Sequence, residues 1–286
     1  MRRVHCAAAC KAGRVFVPKL VATDLDGTLL RSDLTVSERT LATFERLERS
    51  GITLVFVTGR PWRWMDPVLA QTGRRGRVVC ANGAVVLDGA SGQVLQNWTI
   101  PADTLRAVTE SVRDTFPDAI FAVERGRRML HEPEYPVRHD LGRRDENQVS
   151  YDELVAEPVE KLLIRAPSVE AAELWTRCTR VFDGRVTPTH SGFRGLIEVS
   201  AGGVTKATGL EWVAQRCGVD PQDIVAFGDM PNDIPMLTWA GRGVVVADAH
   251  PEAAAVAHTV TTGNDADGVA TYLDALLDEV EATTPR

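Results

Sequence analysis

The chain has 286 residues, a net charge of −7, 44% hydrophobic and 25% charged residues; this is the balance of a globular protein of one or two domains that buries about three quarters of its unfolded surface. The acidic balance argues against a nucleic-acid partner, whose phosphates call for clustered Lys and Arg, and no run approaches the roughly 18 apolar residues of a membrane span. The cysteines, Cys6, Cys10, Cys80, Cys178 and Cys217, are odd in number and scattered, which excludes a disulfide framework or a CxxC metal site and leaves a soluble protein of the reducing cytoplasm as the expectation.

Residues 1–16 carry Arg2, Arg3, Lys11 and Arg14 and only a short apolar stretch, too short for a secretory signal, and read as a loosely ordered extension. A targeting or anion-binding arm is the functional alternative. The first strand, residues 20–23, runs into Asp24-Leu25-Asp26-Gly27-Thr28. Residues i and i+2 of an extended chain point to one side, so Asp24 and Asp26 converge past the strand end, where Gly27 lets the chain turn. One carboxylate can attack as a nucleophile while the other delivers and removes a proton. Ser37 then caps a helix over 37–49, with Leu41, Phe44 and Leu47 at helical spacing.

A second strand, 53–57, ends in Thr58-Gly59-Arg60-Pro61, read as a phosphate-sized turn opening a helix over 62–71 with Pro61 at its first position. Backbone amides at a helix N-terminus favour an anion, so Thr58 and the Gly59 amide are candidate phosphate ligands. Trp62 and Trp64 read as packing residues, and Arg60 either reaches substrate or ties an insert to the core. A third strand is expected at 78–81, followed by Asn82-Gly83.

Residues 86–189 interrupt this pattern and read as an inserted domain: a hairpin over 85–95, a helix from 101 to 112, strands at 119–123, 160–164 and 184–186, and a helix at 169–180. A further strand at 196–199 belongs either to the insert or to the returning chain. An antiparallel sheet with helices on one face is the expected arrangement. The charges of segment 124–147 balance and suggest a mixed-charge surface, and His131, His139 and His190 lack metal-site spacing and default to surface or loop positions.

The returning chain places Lys206 near the start of a helix over 205–216. A strand at 224–227 then delivers Gly228-Asp229-Met230-Pro231-Asn232-Asp233, two more carboxylates at a strand end. A helix at 234–239, a strand at 243–246 and helices at 251–257 and 268–280 follow. Strand and helix alternation at both ends of the chain is the form of a doubly wound parallel α/β sheet, whose ligands bind outside the carboxyl ends of the strands.

With Asp24-Leu25-Asp26-Gly27-Thr28, Thr58-Gly59-Arg60, Lys206 and Gly228-Asp229-Met230-Pro231-Asn232-Asp233 in this order, the chain resembles the haloacid dehalogenase superfamily. Within it the chain is most similar to the Cof-like phosphatases with a type IIB cap. Ala81-Asn82-Gly83-Ala84 and the stretch 263–270 add to the resemblance, which spans roughly residues 19–280. It implies a Rossmann-like core of residues 17–85 and 190–286 and an inserted α+β cap at 86–189. It further implies Asp24 as the nucleophile forming an aspartyl phosphate and Asp26 as general acid and base. Thr58, Gly59 and Lys206 would bind phosphate, and Asn232 would orient the phosphate or Lys206. Carboxylates facing a phosphate dianion need an intervening cation, and oxygen ligands suit Mg²⁺. Its ligands would be Asp24, the Asp26 carbonyl and Asp229, with Asp233 direct or through water. The expectation is a Mg²⁺-dependent phosphatase of a small phosphorylated metabolite, such as a sugar phosphate, nucleotide or phosphorylated cofactor. The alternatives are a phosphomutase or phosphotransferase on the same scaffold, or a catalytically idle phospholigand-binding regulator. Oligomeric state is left open.

Overall fold

The computed structural model describes residues 16–136, 147–189 and 195–283. Strands β1 (Leu20–Thr23), β2 (Thr53–Val57) and β3 (Arg77–Cys80) lie on one side of the main sheet. Strands β4 (Val85–Asp88) and β5 (Val94–Asn97) extend it at that edge. The chain returns on the other side of β1 with β11 (Ile224–Gly228), β12 (Arg242–Val245) and β13 (Thr259–Val260). The order is β13-β12-β11-β1-β2-β3-β4-β5, parallel up to β3 and antiparallel beyond it.

Burial on both faces explains the uninterrupted apolar runs. Val21 of β1 packs with Phe44, Leu47, Phe56, Leu273 and Leu277, beneath α1 (Glu38–Arg49) and α9 (Gly268–Thr283). Its neighbours Leu20 and Ala22 face the other way, against Leu210, Val213, Met236 and Leu237 of α6 (Lys206–Cys217) and α7 (Ile234–Trp239). The N-terminus of α1 is fixed by Ser37, whose hydroxyl accepts from the Thr40 amide at 3.0 Å. No helix among the described residues is long and apolar enough to cross a membrane.

A second, antiparallel sheet has the order β7-β6-β8-β10-β9, built from β6 (Ile120–Arg125), β7 (Arg128–His131), β8 (Lys161–Arg165), β9 (Val186–Thr189) and β10 (Ile197–Ala201). One face carries Phe121, Val123, Leu162, Ile164 and Val199 against α3 (Ala102–Thr115) and α5 (Ala171–Phe182). Strand alternation turns Ala122, Glu124, Lys161, Leu163 and Glu198 to the opposite face.

Several expectations are corrected here. The hairpin at 85–95 belongs to the main sheet, because Val85 and Leu87 enter one layer of its core and Val86 the other. The strand near 196–199 is part of the second sheet, with Ile197 and Val199 in that sheet's core. Strand pairing therefore moves the two crossings from 86 and 189 to positions after Asn97 and Ala201. Residue 16 is not part of a loose extension: Phe16 packs on the main core with the Arg242 guanidinium 4.0 Å from its ring centre. Residues 1–15, including Cys6 and Cys10, lie outside the described residues, as do His139 and His190. His131 is buried on β7, its Nδ1 2.7 Å from the Glu132 carbonyl oxygen, rather than on the surface. Glu124 and Glu132 are likewise buried, paired with Arg63 and Arg113, so the segment is not simply a solvated charged face. The helix expected over 62–71 is a 3₁₀ turn, Trp62–Trp64, followed by α2 (Asp66–Gln71), because Pro67 suits only a fresh helix start.

Candidate active site

All four motifs meet at the carboxyl ends of β1, β2 and β11, beside the point where the strand order reverses. Asp24 leaves β1 with its amide donating to the Phe227 carbonyl (2.9 Å), which ties the first motif to β11. Gly27 follows at φ +80°, and a side chain there would press within 2.6 Å of the Asp229 carboxylate. Thr28 can then donate its hydroxyl to Asp229 Oδ1 at 2.7 Å.

Lys206, the first residue of α6, is 2% exposed. Its ammonium donates to Asp24 Oδ1 at 2.7 Å and to Asp233 Oδ1 at 2.6 Å. The other Asp233 oxygen accepts from the amides of Asp229 (3.1 Å) and Met230 (2.9 Å). Asp233 thus holds the fourth motif's turn and the lysine at once. Carboxylate oxygens of Asp24, Asp229 and Asp233 lie within 4.8 Å of one another.

Three carboxylates, when all are ionised, and one ammonium leave two negative charges uncompensated. Burial drives the Asp24 carboxyl well above its usual range; Lys206 opposes this while Asp233 and Asp229 add to it. Burial likewise pushes Asp229 up to about 6, against the pull of the Thr28 hydroxyl. Burial alone would lower Lys206, but Asp233 and Asp24 outweigh it and hold the ammonium above its ordinary value. The charge deficit and the all-oxygen donor set fit a hard divalent cation.

Asp26 is placed differently from Asp24. Its side chain is 50% exposed and lies outside the three-carboxylate group, bound by Arg60 Nε (2.7 Å) and Nη2. Arg60 therefore reaches the second aspartate of the first motif, a partner not read from sequence. Thr58 is buried, and its Oγ1 accepts from the Arg60 amide at 3.1 Å. The turn after it is not the N-terminus of an α-helix, since only the 3₁₀ turn Trp62–Trp64 follows, so no helix dipole favours an anion there. Asn232 donates from Nδ2 to Asn82 Oδ1 at 3.1 Å. Asn82, left-handed at φ 56°, in turn donates to Thr189 Oγ1 (2.9 Å) and Glu198 Oε2 (3.0 Å) of the second sheet.

Sequence reasoning missed Thr28, the linkage through Asn82, and the pair Lys161 and Glu198. A signal was present for Glu198, a lone charge inside an apolar strand run, whereas Lys161 follows Glu160 at the start of its run. Such charges are rarely buried unless paired.

The sequence model of the haloacid dehalogenase-like hydrolases matches residues 21–273. The 5-amino-6-(5-phospho-D-ribitylamino)uracil phosphatase of Bacillus subtilis is 30% identical over 275 residues, covering 90% of this chain and 96% of its own. The HMP-PP phosphatase of Serratia proteamaculans is 33% identical over 238 residues, covering 82% and 85%. A solved phosphatase of the superfamily from Bacteroides thetaiotaomicron superposes with a TM-score of 0.80 at 26% identity, over 94% of this chain and 98% of its own. The chain belongs to the haloacid dehalogenase-like hydrolases. Within them it is a Cof-like phosphatase, its second sheet being the cap of subclass IIB.

Proposed function

We propose that the protein is a Mg²⁺-dependent phosphohydrolase that cleaves small phosphomonoesters through an aspartyl phosphate on Asp24. The observation that carries this reading is the seat of the Lys206 ammonium between Asp24 and Asp233, with Asp229 beside them and two negative charges left over. Asp24 and Asp229, with the Asp26 carbonyl, would hold the cation. Asp233, with its carboxylate committed to Lys206 and two amides, would act on it through water. The bound cation would supply charge neutralisation at the phosphoryl oxygens.

In the first step an Asp24 carboxylate oxygen attacks phosphorus, the bond from phosphorus to the ester oxygen breaks, and Asp26 gives that oxygen its proton. In the second, Asp26 takes a proton from water as the water attacks phosphorus, and the bond to Asp24 breaks with release of inorganic phosphate. Lys206 fixes the attacking carboxylate. Thr58 Oγ1 receives the Arg60 amide and keeps its own proton for a phosphoryl oxygen, beside the Gly59 amide. Phosphoryl transfer has a loose transition state, so positioning and charge carry most of the catalysis.

The relatives named for 5-amino-6-(5-phospho-D-ribitylamino)uracil and for HMP-PP support small phosphorylated metabolites as the substrate class. The purified protein should release inorganic phosphate from members of an ester panel with Mg²⁺ and lose that activity with EDTA. Metal-independent release, or activity that survives Asp24→Asn, would refute the mechanism.

A further inference from the structure

The chain is rich in arginine: of 32 Lys and Arg residues only Lys11, Lys19, Lys161 and Lys206 are lysine. Lys161 and Lys206 are buried, at 1% and 2% exposure, and only Lys206 belongs to the catalytic motifs. Lys161 stands on β8 of the cap. Its ammonium crosses to the core and donates to the Gly59 carbonyl at 2.7 Å, while also donating to Glu198 Oε1 at 2.9 Å. The second Glu198 oxygen accepts from Asn82, which receives Asn232 at its own oxygen. One buried chain of polar contacts therefore runs from the fourth motif through the Asn82 turn and the cap to the phosphate turn.

The Gly59–Arg60 peptide is held at both ends. Its carbonyl accepts from Lys161, and its amide donates to Thr58 Oγ1. A peptide plane is rigid, so the direction of the carbonyl sets that of the amide. The amide occupies a lone pair of the Thr58 hydroxyl and thereby directs its proton. The Lys161 pocket suits an ammonium, whose donors reach a carbonyl and a carboxylate from one point; a planar guanidinium is a poor replacement.

We propose that Lys161 is a positioning residue of the cap: supported by Glu198 and Asn82, it fixes the Gly59–Arg60 peptide and so aims Thr58 at the phosphoryl group. This rests on the phosphatase reading, with Thr58 as a phosphate ligand. It makes a cap side chain part of phosphate binding common to every ester, rather than of recognition of one leaving group.

The test compares Lys161→Met, Lys161→Met with Glu198→Gln to remove the stranded carboxylate, Thr58→Val, and Thr58→Val combined with Lys161→Met. Each is assayed for kcat and KM on p-nitrophenyl phosphate and two sugar phosphates, and for competitive inhibition by inorganic phosphate. Melting temperatures are recorded alongside. Lys161→Met should lower kcat/KM by about 10- to 100-fold, the order expected for slight misplacement of a binding group. The factor should be the same on all esters, and inhibition by phosphate should weaken with it. In the Thr58→Val background the same substitution should have little further effect, since neighbours acting through one group are not additive. The variant with both charges removed should melt near the wild type and keep the kinetic defect.

Losses that differ among esters with phosphate inhibition intact would overturn the proposal in favour of leaving-group contact. Additive losses with Thr58→Val, or a kinetic defect cured by restoring stability, would overturn it in favour of a structural role. Absence of turnover in the unmodified enzyme would instead refute the phosphatase reading. Phosphate binding followed by calorimetry in the same variants would then decide the role of Lys161.

Discussion

Gly83→Ala provides a severe test of the site because it acts on Lys206 without touching a charged group. Gly83 sits at φ +101°, and a methyl group there would lie 1.9 Å from the Thr205 carbonyl oxygen and 3.1 Å from the Lys206 amide nitrogen. Contacts of a Cβ under 3.0 Å are essentially never seen, so the Gly83 turn and the start of α6 must move apart. The Lys206 ammonium rides on that segment and is held at 2.7 and 2.6 Å from Asp24 and Asp233, distances that such a shift breaks. Left-handed strain contributes about 1–2 kcal/mol and overpacking about 1–3 kcal/mol, a destabilisation of about 2–5 kcal/mol in urea unfolding. A misplacement of about 1 Å at a catalytic group costs on the order of 10²-fold, so kcat/KM should fall by that factor. Gly51→Ala is the control: φ is +71° but nothing lies within 4 Å, so strain alone remains and activity should hold. Wild-type kcat/KM in Gly83→Ala, or an equal activity loss in Gly51→Ala, would show that Lys206 is not placed through this contact.

Asp24→Asn should abolish phosphate release, whereas Asp26→Asn should lower it by about 10²- to 10⁴-fold, the range for a general acid–base group; quenched-flow phosphate release checks both. Burial holds Asp229 at about 6, above its ordinary 3.8, so between these values the folded metal-free chain keeps a proton that the unfolded chain has lost. This group's effect on metal-free stability therefore declines as pH rises through that window, and a cation competes with the proton below it. The rise in Tm on adding Mg²⁺ should accordingly be larger at pH 7.5 than at pH 5; an equal rise at both would refute the assignment. Deleting residues 1–15 should leave Tm unchanged, while Phe16→Ala should lower it, since that ring packs on the core beneath Arg242.

The core was legible because each of its central strands is an apolar run ending in a polar motif. Parallel strands buried on both faces leave that mark, as at Leu20–Thr23 and Ile224–Gly228. The boundaries of the insert were not legible, since Val85, Val86 and Leu87 look alike whether they pair with β3 or open a new sheet. Pairing is a long-range property that a local pattern does not carry. The first-motif and fourth-motif aspartates could be named from position alone. Their differing surroundings could not, because Asp26 is turned to Arg60 by the course of the second motif's turn, 34 positions away. Lys161 and Glu198 escaped notice because a single charge in a strand is equally consistent with an exposed edge.

The contrast between Asp24 and Asp26 links the cap to the chemistry. Asp24 is buried and tied to Lys206, as would suit the attacking role proposed for it. Asp26 is half exposed and held at both oxygens by the Arg60 guanidinium. Each Asp26 oxygen so engaged accepts one guanidinium hydrogen and keeps a second lone pair free. Arg60 follows the peptide that Lys161 holds by the Gly59 carbonyl. If Lys161 positions that peptide, the cap ammonium aims Thr58 while Arg60, one residue on from Gly59, holds Asp26 through its own guanidinium. Phosphate binding would then depend on one contact between cap and core, and Lys161→Met should slow esters with poor and good leaving groups by the same factor.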